Sequence, residues 1–126
     1  MRHICLIDDD IYVRDAVALG LTDAGFRVST APGAAAGLDI VKREGADAIV
    51  TDMSMPGTDG AQLITQVRAL FPNIPVIAIS GSSIIDGRNA LDIARERGAD
   101  AVMTKPFRAA ALSAVLNQLL SARERA

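Results

Sequence analysis

Five short, mostly apolar runs stop at polar residues or turns, and stretches of helical periodicity separate them. No other feature restricts the fold of this chain as strongly. The runs are Ile4–Ile7, Phe26–Thr30, Asp47–Thr51, Val76–Ile79 and Asp100–Thr104. The first and fourth are apolar throughout, which marks strands buried on both faces. The second alternates apolar and polar residues, as a strand nearer an edge does. Between the runs, apolar residues return at helical spacing. Val13, Val17, Leu21 and Ala24 form one face of Ile11–Ala24, and Ala35, Leu38, Ile40 and Val41 turn inward from Pro32–Glu44. Asp59–Leu70, Gly87–Arg97 and Ala109–Ala122 follow the same pattern, with Asp59 the expected cap of the first of these. Gly25, Gly45 and Gly98 follow three of the helices, in the position a helix end favours for glycine.

Strands alternating one-for-one with helices give a parallel sheet covered on both faces. Right-handed crossovers then favour a doubly wound α/β fold of the flavodoxin-like type, with five parallel strands in the order 2-1-3-4-5 and five helices. A length of 126 residues suits one domain. Because the fifth helix closes the chain, residues 1–126 are expected to form that domain with no effector unit. Thirteen basic against fifteen acidic residues leave a net charge of −2, which offers no electrostatic case for nucleic acid or a membrane surface. The lone cysteine, Cys5, lies in a strand pattern, excludes an internal disulfide and fits a reducing compartment. The chain opens on a strand pattern and has no apolar run of bilayer length, so no leader, no membrane insertion and a cytoplasmic location are expected.

In such a sheet, ligands bind at the carboxyl ends of the strands, at the switch point between the first and third. The polar residues gather there. Asp8 and Asp9 end the first strand, Asp52 the third, Ser80 the fourth and Lys105 the fifth. Each has an ordinary structural explanation. Asp8, Asp9 and Asp10 could serve a helix N-terminus, with Asp10 the best cap. Asp52 could cap the next helix, Ser80 could be plain turn chemistry and Lys105 a solvated charge. Together they make a different kind of site. Three carboxylates form a hard oxygen cluster suited to Mg²⁺. Lys105 brings a point charge and Ser80 a hydroxyl donor, the groups needed for a carboxylate, Asp52, to accept a phosphoryl group.

Asp8-Asp9 after an apolar strand, Asp52-Met53-Ser54-Met55-Pro56-Gly57, Ser80-Gly81 and Thr104-Lys105-Pro106-Phe107 resemble the receiver (CheY-like) domain of two-component response regulators, from Ile4 to about Leu120. The resemblance implies that Asp52 is the phosphoacceptor. It implies that Asp9 and Asp52 touch Mg²⁺ directly, Asp8 through water and Ser54 through its backbone carbonyl, and that no other cofactor is bound. The donor is implied to be a phosphohistidine on a histidine kinase or phosphotransfer protein. To reach Asp52 in line it must cover the rim of the site, so it is expected to dock over the first helix, where Ile11, Arg14, Asp15 and Ala18 lie off the inward face, and over the Lys105-Pro106-Phe107 turn. The Lys105-Pro106 bond is implied to be cis. The chain would then be a signalling domain and no enzyme beyond its own phosphorylation and dephosphorylation. It would act on a downstream protein target, without direct nucleic-acid contact, as a monomer or weak dimer. The family commonly has an aromatic residue three positions before the lysine. Val102 stands there, stiff at χ1 and without a ring to swing. The readout is therefore expected in the loop after the fourth strand, Ser80 to Gly87, and the start of the fourth helix.

Other classes fit less well. A flavodoxin-type cofactor protein needs a hydroxyl- and glycine-rich phosphate loop where this chain has three carboxylates. A P-loop enzyme needs a Gly-x4-Gly-Lys-Ser/Thr motif, which is absent. An aspartyl phosphatase calls for a second acid two residues after the nucleophile, where Ser54 stands. The remaining alternative is an interaction module with the same fold that works without phosphorylation.

Overall fold

The computed structural model describes the backbone of residues 1–55, 58–81, 84–85 and 88–125, and the side chains of 1–53, 61–81 and 92–122. Five strands, β1 (His3–Ile7), β2 (Arg27–Ala31), β3 (Ala48–Asp52), β4 (Val76–Ser80) and β5 (Ala101–Thr104), form one parallel sheet. Their order is β2-β1-β3-β4-β5, the doubly wound arrangement the sequence predicts. Register runs through Leu6 opposite Thr30 and Val50, and through Thr51 opposite Ala78, which itself faces Val102. β1, β3 and β4 are buried at every position, while β2, at an edge, is fully buried only at Ala31 and does not show the alternation its sequence suggests.

The helices are α1 (Ile11–Asp23), α2 (Ala34–Glu44), α3 (Gly60–Leu70), α4 (Ala90–Arg97) and α5 (Ala109–Arg125). Successive strand residues point to opposite faces, so the sheet has two separate cores. Ile4, Leu6, Val50, Ile77 and Ile79 pack with Val17 and Leu21 of α1 and Leu112 and Leu116 of α5. Cys5, Ile7, Ile49 and Ala78 pack on the other side with Val41 of α2, Ile64 and Val67 of α3 and Ala94 of α4.

Several boundaries differ from the sequence expectation. α2 begins at Ala34 instead of Pro32, because Gly33 is extended at φ −166°. Its inward face also rotates: Ala34 and Gly37 are buried, whereas Ala35 is exposed. Gly37 is the reason. A Cβ there would stand 2.3 Å from Ile7 Cδ1 and 2.6 Å from Ile7 Cγ1, so the glycine lets α2 lie directly on β1. Ala24, expected on the inner face of α1, is exposed beyond the helix end. There the chain turns at Gly25 with φ 100°, a conformation costly for any residue with a Cβ. α5 continues past Ala122 to Arg125, since Arg and Glu sustain a helix and neither glycine nor proline stops it. Asp59 lies in a two-residue strand, Thr58–Asp59, paired antiparallel with Ser54–Met55. A second such pair joins Ile84–Ile85 to Arg88–Asn89 before α4. α4 therefore begins at Ala90 and not near Gly87, because Arg88–Asn89 is taken up in that pair. The expected capping by the Asp59 side chain lies outside the described residues.

At the amino edge of the sheet, Arg68 of α3 donates to the carbonyls of Gly98, Pro72 and Ile74 and pairs with Asp100. Asp100 in turn accepts the Val76 amide at 2.8 Å. One guanidinium thus fixes where β4 and β5 start, and hence where their opposite ends deliver Ser80 and Lys105.

Candidate functional site

Asp8 follows β1 and is 3% exposed. Its amide donates to the Ala31 carbonyl at 3.1 Å, which continues the β1–β2 ladder one residue beyond the strand. All three of its oxygens accept hydrogen bonds. Oδ1 takes the Asp10 amide at 3.0 Å, Oδ2 takes Lys105 Nζ at 3.0 Å, and the carbonyl takes Arg14 Nη1 at 3.1 Å. Asp10 is the N-cap of α1, its Oδ1 accepting the amides of Tyr12 at 3.0 Å and Val13 at 3.3 Å. The acidic run therefore divides. Asp10 serves the helix, as expected, and Asp8 and Asp9 remain beside the sheet. Asp9 is exposed and makes no hydrogen bond or ion pair among the described residues.

Asp52 ends β3, opposite Ile79, and is 5% exposed. Its Oδ2 accepts Lys105 Nζ at 3.3 Å. Lys105 therefore bridges two buried carboxylates that come from different strands. Asp8, Asp9 and Asp52 each bring an oxygen within 4.8 Å of the others. Ser80 ends β4 opposite Thr104 and is buried, and its carbonyl accepts the Lys105 amide at 2.9 Å. The Lys105-Pro106 bond that follows is cis. Of Ser54 only the backbone is described, as the first residue of the short Ser54–Met55 strand. Residues 82–83 and 86–87 of the expected readout loop lie outside the described residues, and Val102 is half-buried.

The electrostatics follow from this geometry. Burial alone would push the Lys105 ammonium below its ordinary pKa. The hydrogen bond to Asp8 and the charges of Asp52 and Asp8 outweigh it, so the pKa lies above the ordinary 10.5. Each bridge, at 3.0 and 3.3 Å, is worth about 5 kcal/mol of Coulomb attraction at an effective dielectric constant of 20, before desolvation is counted. One ammonium among three carboxylates still leaves two negative charges at the strand ends. Such a site attracts a hard cation, and its oxygen donors suit Mg²⁺.

Beside the cluster, Val13, Ala16, Val17, Lys105, Pro106 and Phe107 line a mostly apolar cleft of about 260 Å³. Of the first-helix residues expected at the rim, Ile11 and Asp15 are exposed and Ala18 is half-buried. Arg14 departs from the expectation. Its guanidinium folds back onto Asp8 and offers little to a partner. Helical spacing alone placed Arg14 off the inward face, and nothing in that spacing announced a bond to a carbonyl six residues earlier.

The model of the response regulator receiver domain matches residues 4–117. The chain belongs to this family. It is 38% identical over 121 residues to the transcriptional regulatory protein PrrA of Mycobacterium tuberculosis, covering 96% of this chain and 51% of PrrA. The receiver thus spans about half the length of that relative. A receiver domain protein from Clostridium thermocellum superposes with a TM-score of 0.89 at 26% identity over 98% of both chains. NtrX from Brucella abortus superposes with a TM-score of 0.88 at 30% identity, over 98% of the receiver and 28% of NtrX. No helix among the described residues is long and apolar enough to cross a membrane.

Proposed function

We propose that Asp52 is the phosphoacceptor of this receiver, with Asp8, Asp9, Ser80 and Lys105 completing the site. The observation that carries the reading is the single ammonium of Lys105 spanning Asp8 Oδ2 and Asp52 Oδ2, with the oxygens of all three aspartates within 4.8 Å of one another. Asp9 and Asp52 would hold Mg²⁺ directly, Asp8 through water and Ser54 through its carbonyl. Bound there, the ion would offset the charge of the phosphoryl oxygens. The Asp52 carboxylate attacks phosphorus in line. An O–P bond forms as the P–N bond of the donor phosphohistidine breaks, and the electron pair leaves on the imidazole nitrogen. Lys105 stays beside Asp52 and turns its charge to a phosphoryl oxygen, and Ser80 donates its hydroxyl to another.

The donor, a histidine kinase or phosphotransfer protein, reaches this edge over α1 and the Lys105–Phe107 turn. Tyr12 is 85% and Leu19 65% exposed, and their spacing of seven positions sets them two turns apart on the outer face of α1. In the phosphorylated state the loop after β4 and the start of α4 switch and are read by a protein target. We place this signalling step in the cytoplasm, with residues 1–126 acting as one receiver unit. To test the assignment, the protein is incubated with a small phosphodonor and Mg²⁺, the acyl phosphate is trapped with borohydride, and the label is mapped. Label on Asp52 is expected. Labelling that survives Asp52→Asn sinks the assignment to Asp52, whereas no label on the wild-type protein leaves the interaction module without phosphorylation as the better reading.

A further inference from the structure

We infer that Arg14 is a positioning residue, holding Asp8 and Asp9 in the geometry a divalent cation requires. The inference rests on the proposed Mg²⁺ site and concerns a residue outside it. Arg14 leaves α1 one turn after its start and is half-buried. Nη1 donates to the Asp8 carbonyl at 3.1 Å, and Nε is buried with no hydrogen-bond partner among the described residues. A buried guanidinium nitrogen without a partner costs free energy. The arrangement therefore does not serve Arg14 itself, and its effect falls on the residue it grips.

That residue sits in a closed ring of bonds. The Arg14 amide donates to the Asp10 carbonyl at 2.9 Å, and the Asp10 amide donates to Asp8 Oδ1 at 3.0 Å. The Asp8 carbonyl closes the ring through Arg14 Nη1. Asp9 lies inside this ring and is the one carboxylate of the cluster with no partner of its own among the described residues. Its direction is set only by its backbone, and that backbone is pinned at Asp8 and Asp10. Without Arg14, the peptide between Asp8 and Asp9 loses its carbonyl anchor and the Asp9 carboxylate drifts from the other two. Partners that orient a ligand in this way are worth roughly tenfold to a hundredfold in metal affinity.

The sign of the effect separates this role from plain electrostatics. A guanidinium near a cation site repels the ion, so if charge were all that mattered its removal would tighten Mg²⁺ binding. Positioning demands the opposite. The experiment compares wild type, Arg14→Met and Asp9→Ala. Mg²⁺ affinity is measured by calorimetry, and exchange of the Asp10 amide by NMR without metal. Arg14→Met is expected to weaken Mg²⁺ binding about tenfold and to speed Asp10 exchange roughly fivefold, as loss of one hydrogen bond allows. Exchange elsewhere in the sheet should stay as in wild type. Unchanged or tighter Mg²⁺ binding in Arg14→Met overturns the inference, provided that wild type binds and Asp9→Ala does not. If wild type itself binds no Mg²⁺, the metal reading fails. Asp10 exchange then decides separately whether Arg14 holds the loop, and an unchanged rate overturns that too.

Discussion

Replacing Gly37 by alanine sets two effects of known sign against each other. In a helix interior the change is worth about 1 kcal/mol in favour of alanine. Against it stands the approach of α2 to β1. The new Cβ would lie 2.3 Å from Ile7 Cδ1, 2.6 Å from Ile7 Cγ1 and 3.7 Å from Ala31 Cβ. The Cys5 thiol already reaches the Gly37 carbonyl at 3.6 Å, a second mark of the same close contact. Ile7 is 1% exposed, and its branched Cβ restricts χ1, so it cannot swing clear. Overpacking of this kind costs about 1–3 kcal/mol. Gly37→Ala should therefore lose up to ~2 kcal/mol despite the better helix former. A cycle with Ile7→Ala isolates the contact. Ile7→Ala alone should cost about 2–5 kcal/mol through its cavity. In the double variant the added methyl partly fills that space, so the two changes should couple favourably by on the order of 1 kcal/mol. Urea unfolding with an unchanged m-value is the measurement. A stabilised Gly37→Ala, or additivity within error, would refute the idea that this glycine is present for helix–strand contact.

Lys105→Met should destabilise the protein by about 1–3 kcal/mol, below the range for a fully buried pair because Lys105 is itself partly exposed. Saturating Mg²⁺ should restore most of the loss in a thermal melt, and a loss unaffected by Mg²⁺ would argue that Lys105 is merely structural. For Cys5, burial and then the nearby Glu44 charge push the thiol from 9.0 to about 12. The thiol keeps its proton in the fold after the unfolded chain has lost it. Its contribution is therefore complete below pH 9.0 and falls as the pH rises towards 12, by up to about 1.4 kcal/mol per pH unit. Cys5→Ala should remove that slope, and parallel stability curves for the two proteins above pH 9 would contradict the assignment. Charge reversal at Asp15 combined with Phe107→Ala should slow phosphoryl transfer from the cognate kinase. Unchanged transfer would put the docking face elsewhere.

How far the chain could be read without its structure depends on which properties are local. Strand and helix periods, the glycines that end helices and the polar residues that stop strands are all written over a few neighbouring positions. The sheet order and the meeting of Asp8, Asp9, Asp52, Ser80 and Lys105 at one edge followed from those periods and from the handedness of crossovers. Asp10 as a cap was equally legible, because a cap bonds amides only two and three positions away. The inward face of α2 was not. Leu38, Ile40 and Val41 fit the helical period whether Ala34 or Ala35 turns in, and only contact with Ile7 selects Ala34 and Gly37. The bridge from Lys105 to Asp8 spans 97 positions, and local sequence carries no information about its length or about which carboxylate oxygen receives it. The Arg14 bond to the Asp8 carbonyl is short in sequence yet equally hidden, since it depends on the angle at which α1 leaves β1. Sequence thus determined which groups reach the edge of the sheet. Packing of the helices on its two faces decided which of them touch, because only packing fixes separations to within a hydrogen bond.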